Sequence, residues 1–96
     1  MTKREIVKAI AAKAALTQVQ TGEVIQLTLE AIAEAIVTEG RVELRNFGVF
    51  EVRPRKPRKA RDPRDGAIMS LPARNVVVFR PSRSLETQVE SLPLAE

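Results

Sequence analysis

The stretch from Arg53 to Arg83 constrains this chain most, because it carries ten Lys or Arg against two acids. Its first part, Arg53 to Arg64, holds seven basic side chains and one acid, and reads as a positively charged arm. A solvated face usually mixes signs, since uncompensated like charges repel. Asp62, Pro63, Arg64, Asp65 and Gly66 then carry turn chemistry: an Asx-type opener, a proline that fixes φ, and a glycine where φ > 0 is needed. The chain should reverse there. From Ile68 to Phe79 it is rich in residues that suit a pleated strand and closes on Val76, Val77, Val78 and Phe79. The stretch describes a two-stranded ribbon with a basic surface and a proline at its tip.

The rest of the chain is charged differently. Residues 1–52 hold six bases and seven acids (net −1), residues 53–83 are net +8, and residues 84–96 hold three acids and no base (net −3), for +4 in all. Such a block points to a polyanion partner, with a disordered basic linker as the competing reading. Ninety-six residues make one domain. If roughly thirty of them project as an arm, the remainder is near the size at which oligomerisation becomes useful.

There is no Cys and no His, which removes disulfides, thiolate metal sites, the commonest general base and the commonest metal ligand together. No phosphate-cradling glycine loop, paired acids or nucleophile motif is visible, so an enzyme is not expected, nor a cofactor, a metal or a small-molecule substrate. No apolar run reaches membrane-span length, and no apolar h-region follows Met1 to Glu5. A soluble, cytoplasmic protein is expected.

Thr2 and Glu5 fit a capping box, after which Ile6, Val7, Ile10 and Ala14 recur at helical spacing. Thr17 and Gln20 offer a second box. The pattern continues through Val24, Leu27, Ala31 and Ala35, widened by Ile25, Ile32 and Ile36, until Gly40 ends it as a C′ residue. This stripe is wider than one short helix can cover, which argues for burial against a further partner.

From Arg41 the period becomes two, with Val42 and Leu44 alternating with Arg41, Glu43 and Arg45. Asn46, Phe47 and Gly48 supply a turn, and Val49 to Val52 start a strand that runs on into the arm. Pro54 and Pro57 lie three apart, so in a regular strand one must lose a ladder bond; a bulge or an irregular arm base is predicted. Ser82 or Ser84 caps a closing helix with Leu85 and Val89 on its apolar face, and Leu92 to Leu94 lead into a frayed tail. Phe47, Phe50 and Phe79 read as core.

With these residues in hand, the chain resembles the HU and integration host factor family of bacterial nucleoid proteins over residues 1–90. Gly40 and the run Arg41-Val-Glu-Leu-Arg-Asn-Phe47-Gly48-Val-Phe50 are similar to that family's strand, Phe-Gly turn and strand. The run Arg58-Lys-Ala-Arg61-Asp-Pro63-Arg-Asp-Gly66 resembles its arm tip. Leu71-Pro72-Ala73, Phe79-Arg80-Pro81 and Arg83-Ser-Leu85 match later landmarks, and the order and spacing carry the resemblance together.

The resemblance implies an α+β fold: an N-terminal helical hairpin, a three-stranded antiparallel sheet with a protruding two-stranded β-ribbon arm, and a short C-terminal helix, in an intertwined dimer. Its expected divisions are a helical body over 1–40, sheet over 41–52 and 76–81, β-arm over 53–75, C-terminal helix over 82–91 and tail over 92–96, all one domain. It implies a nucleoid protein that bends and compacts double-stranded DNA, largely independently of sequence, with arms along the minor groove and Pro63 as an intercalating wedge. The alternatives are a site-selective integration-host-factor-like bender, an RNA-binding ribbon protein, or a helical interaction module whose arm acts as a dimer clasp. A homodimer is expected, with a heterodimer with a paralogue left open.

The expected DNA-binding residues are Lys3, Arg45, Asn46, Arg53, Arg55, Lys56, Arg58, Lys59, Arg61, Pro63, Arg64, Arg74, Arg80 and Arg83. Each also has a plainer reading: a proline at the second position of a turn needs no DNA, and Lys3, Arg80 and Arg83 are ordinary surface charge outside the arm's basic run. Strand parity further separates Arg53, Arg55 and Arg61 from Lys56, Arg58 and Arg64. Asp62 and Asp65 stand where the family usually has Asn and Thr, so the tip should contribute less affinity, with Arg64 able to offset them. Ser82 and Glu86 replace a common Gly and a common basic residue, so the closing helix should attract DNA less.

Overall fold

The structure is a computed structural model that describes residues 1–94. It divides into two compact units, residues 1–38 and 39–96. The first holds α1 (Lys3–Ala14) and most of α2 (Gln18–Glu39). The second holds β1 (Arg41–Leu44), β2 (Gly48–Arg55), β3 (Arg58–Arg61), β4 (Ile68–Leu71), β5 (Arg74–Pro81) and α3 (Arg83–Glu90). No helix among the described residues is long and apolar enough to cross a membrane. The expected tail, residues 92–96, lies partly outside the described residues.

Capping chemistry sets the helix starts. Thr17 and Gln20 form the reciprocal box, with Gln20 N donating to Thr17 Oγ1 (3.1 Å) and Thr17 N to Gln20 Oε1 (3.3 Å). At α1 the box is half made: Thr2 Oγ1 accepts from Glu5 N (3.4 Å), but Glu5 Oε1 takes the Thr2 hydroxyl instead of its amide. Gly40 follows α2 with φ +75, as a C′ residue does. Of the two serines proposed to cap α3, Ser82 does so, accepting from Leu85 N at 3.2 Å.

β1, β2 and β5 form a three-stranded antiparallel sheet in the order β1-β2-β5, and β3 pairs with β4 in a separate two-stranded ladder. The ribbon is therefore not continuous, as a strand running unbroken from Ile68 to Phe79 would require. Lys56 and Pro57 interrupt one side, Pro72 and Ala73 the other. Neither proline has an N–H to give a ladder, so pairing stops where they approach each other. This is the irregular arm base that Pro54 and Pro57 predict. Pro54 itself stays in register opposite Asn75, beyond the last β1 pair, where one of its edges has no partner strand.

The register sorts side chains by face. Gly48 pairs with Pro81, Phe50 with Phe79, Val52 with Val77 and Arg55 with Arg74, so Val42, Leu44, Phe50, Val52, Val77 and Phe79 share one face. The three Phe rings cluster there, with centroids 4.8 to 6.4 Å apart. They are not a closed core, however. Val77 is 58% exposed, and Phe47 and Phe79 are also exposed.

The helices show the same deficit. Ala11 and Thr21 are buried at 4% and 2% exposure, but Ile6 and Ile10 of the expected stripe, and Val24 and Leu27 of the second, are open. The chain presents apolar faces that it does not itself cover.

Gly48 is fixed by close approach. A Cβ there would lie 2.5 Å from the Arg80 carbonyl oxygen and 2.5 Å from the Phe79 ring. Gly48→Ala should lower stability by about 1–3 kcal/mol or more, because backbone cannot yield as a side-chain tip can. A drop in thermal midpoint checks this; an unchanged midpoint would mean the β2–β5 pairing is looser than described.

Candidate nucleic-acid interface

The other face of the sheet carries the charge. Alternation puts Arg41, Glu43, Glu51, Arg53, Arg55, Arg74 and Arg80 on the side opposite the phenylalanines. Val49, Val76 and Val78 lie between them and are half-buried, as expected when long arginine stems cover apolar surface. Arg55 sits directly across from Arg74, a like-charge pair that disfavours the ladder, and neither has an acid within ion-pair distance among the described residues. An open groove beside them is lined by Arg55, Lys56, Arg58 and Arg74, with Leu71 and Pro72. This arrangement suits a polyanion.

Nearer the β1 end the face is partly neutralised. Glu51 Oε1 accepts from Arg53 Nη2 at 3.1 Å and lies 2.7 Å from Arg80 Nε, while Arg41 Nη1 meets Glu43 Oε2 at 3.4 Å. The hydrogen bond from Arg53 lowers the Glu51 carboxyl below its usual range. Partial burial opposes this, and the charges of Arg53, Arg80 and Arg41 lower it further.

In β3 and β4, Lys59 and Arg61 share a face with Ile68 and Ser70, and Arg58 shares the other with Ala60, Met69 and Leu71. Two residues on each side, Lys56 and Pro57 against Pro72 and Ala73, separate the ladders, and the pairing register is the same before and after them. The count therefore keeps Arg61 in step with Arg53 and Arg55, and Arg58 on the other parity, although no ladder bond joins the two stretches.

The tip is a tight turn. Gly66 N donates to the Asp62 carbonyl (2.8 Å), Asp62 N donates to the Ala67 carbonyl (2.7 Å), and Gly66 takes φ +74, which only glycine adopts cheaply. Asp62 Oδ1 accepts from Arg64 N (2.8 Å), Asp65 Oδ1 accepts from Ala67 N (2.9 Å), and Arg64 Nη2 reaches Asp62 Oδ2 at 3.5 Å. Both carboxylates thus serve the turn's own amides. Pro63 stands exposed at the apex.

Arg45 and Asn46 form the β1–β2 turn, closed by Phe47 N donating to the Leu44 carbonyl (3.0 Å), with Asn46 at φ +67. They line an open groove with Arg80, but Glu43 and Glu86 line it too. Arg83 is the first residue of α3. Lys3 belongs to the helical unit, where its ammonium donates to Gln26 Oε1 at 2.5 Å.

A family model described as bacterial DNA-binding protein matches residues 1–90. The chain belongs to this family. Among its HU and integration host factor relatives, DNA-binding protein HU of Xylella fastidiosa is 36% identical over 90 residues, covering 94% of this chain and 96% of that protein. Integration host factor subunit alpha of Aliivibrio fischeri is 31% identical over 94 residues, covering 98% and 96%. The structure of Anabaena HU in a cocrystal with DNA matches with a TM-score of 0.87 and 37% identity, over 96% of this chain and 100% of that one.

Three residues of the charged face are absent from the expected site: Arg41, Glu43 and Glu51. The period-two pattern already put Arg41 on the solvent side, but only the β1–β2 register brings it opposite Glu51.

The Glu51 bridge makes stability depend on pH. Its folded carboxyl titrates below the unfolded one, so its contribution is fully present above the ordinary glutamate range, near pH 4.3, and is lost as pH falls through the lowered folded value. Acid unfolding curves of wild type and Glu51→Gln should therefore converge below that range and separate above it, with wild type the more stable. Parallel curves throughout would show that the bridge does not form in solution.

Proposed function

We propose that this chain is an architectural protein that bends and compacts double-stranded DNA, holding the minor groove with its β-arms and wedging a base step with Pro63. The observation that carries the reading is the β1-β2-β5 sheet, with Arg41, Arg53, Arg55, Arg74 and Arg80 on one exposed face, ahead of a basic ribbon ending in an exposed proline turn. The like charges of Arg55 and Arg74 repel weakly across the strands, and an anion lying over both would relieve that repulsion. Regularly spaced phosphates meet that need.

Such contacts position the protein without reading bases, so binding is largely independent of sequence and favours deformable sites. Arg53, Arg55, Lys56, Arg58, Lys59, Arg61, Arg64, Arg74 and Arg80 provide the main phosphate and groove surface. Arg45, Asn46 and Arg83 add contacts at its flanks, and Lys3 of the helical unit adds a further phosphate contact. Pro63 supplies a rigid ring without an N–H, and the few kcal/mol of unstacking are offset by contacts that bent DNA permits. The likeness to Anabaena HU, solved with DNA, supports the same partner for this chain. The working place of such a protein is the bacterial nucleoid, and its role has no catalytic step.

The uncovered apolar faces support a homodimer. Val24 and Leu27 on α2 and Val77 and Phe79 on the sheet are all exposed in the single chain, and a second copy supplies the same surfaces in self-complementary form. Sedimentation equilibrium should give two chains per particle at micromolar concentration. A folded, dilution-stable monomer would overturn this part.

The wedge is tested on a nicked or A·T-rich duplex, with bending read by energy transfer between its ends. Wild-type affinity should fall steeply with salt, with a log–log slope of about −0.9 per phosphate neutralised. Pro63→Ala should lose most of the bend but only severalfold in affinity, and Asp62→Asn with Asp65→Thr should bind more tightly. Weak, salt-insensitive duplex binding, or a preference for RNA of equal length, would overturn the reading.

A further inference from the structure

We infer that Glu51 is a built-in competitor for DNA phosphate: its carboxylate occupies Arg53 and Arg80, and DNA must displace it to engage both guanidinium groups fully. The inference rests on reading the charged sheet face as a phosphate surface, and it concerns how that surface is regulated.

The geometry follows from the register. Glu51 pairs with Val78, so Arg53, two residues along β2, and Arg80, two residues along β5, flank the carboxylate on the same face. One oxygen, Oε1, serves both: Arg53 Nη2 at 3.1 Å and Arg80 Nε at 2.7 Å. The exposures are unequal. The Glu51 side chain is 16% exposed, against 50% for Arg53 and 54% for Arg80, so the acid lies beneath two cations that reach solvent.

An arginine binds a phosphate best through two parallel N–H groups, and the Nε edge is one such fork. On Arg80 that edge is crowded by the carboxylate, whose Oε1 lies 2.7 Å from Nε as an ion pair. A glutamate is ionised at neutral pH, and the arginines beside Glu51 favour that form further, so the competition is always present.

The rest of the face supplies a contrast. Arg55 and Arg74, at the arm end of the same ladder, meet no acid within ion-pair distance among the described residues. The Arg41–Glu43 pair, at 3.4 Å with both side chains more than half exposed, is one loose contact and not a shared oxygen. The face is thus graded, with free cations toward the arm and carboxylate-held cations toward β1. DNA reaching only the arm end meets no internal rival. DNA lying over the whole face must exchange the Glu51 bonds for its own.

The test compares wild type with Glu51→Gln, a neutral side chain of the same shape, in duplex binding across a salt series. The Gln variant should bind about five- to tenfold more tightly near 0.1 M salt, with a log–log slope steeper by about one unit, since one more ion is released. The same substitution is repeated on Arg53→Gln with Arg80→Gln. Displacement predicts no gain there, whereas a general effect of net charge predicts the same gain and would overturn the inference.

Glu51→Asp keeps the charge but is one methylene shorter, and so loosens the shared bridge. It should bind more tightly than wild type, and it serves if the Gln variant melts early by circular dichroism. Unchanged or weaker binding by either folded variant, with wild type still binding and bending DNA, would sink this inference alone. Loss of salt-dependent duplex binding in wild type would sink it together with the proposed function.

Discussion

The antiparallel ladder between β2 and β5 decides where every other group can go. It holds Gly48 against Pro81 at one end and Arg55 against Arg74 at the other, and because side chains alternate across a strand, that register commits each residue to one side. A slip of one residue would place the phenylalanines among the arginines. Gly48 guards against it, since its missing Cβ lets the Arg80 carbonyl and the Phe79 ring come close where any side chain would push the strands apart. The apolar cluster and the cationic floor are two sides of one pairing.

The apolar side is only half of a core. Phe47, Phe50 and Phe79 cluster, yet only Phe50 is half-buried while Phe47 and Phe79 stay open to solvent, and the helices bury little beyond Ala11 and Thr21. For a domain of this size the shortfall is expected, because the residues spent on the ribbon bury almost nothing. Function and stability therefore compete for chain length. The proposed association of two chains would resolve the competition without lengthening either.

Much of this was legible in the sequence where the chemistry is local. Thr17 with Gln20, Gly40, and the run from Asp62 to Gly66 announce helix ends and a turn through groups that act within a few residues. The basic block announced a charged arm, and two prolines three apart announced that its base could not be regular. What was not legible depends on register. Arg58 to Arg61 meet Ile68 to Leu71 in a ladder of their own, a separation from the body sheet that no local group announces. Glu51 looked like an ordinary strand acid until β5 brought Arg80 beside it. Asp62 and Asp65 suggested repulsion of phosphate, but not that one oxygen of each also accepts from a turn amide, of Arg64 and of Ala67.

The interruption between the two ladders has a consequence for how such a chain can change over generations. β3 and β4 share no hydrogen-bonded pair with the body sheet, and unpaired residues on both sides separate the two ladders. An insertion, deletion or exchange between Lys56 and Ala73 is absorbed before it reaches Gly48 or the phenylalanines. The outer ribbon can then diverge as an interchangeable cassette, its reach and charge drifting with the DNA it meets, while the body remains under the stricter selection that packing imposes.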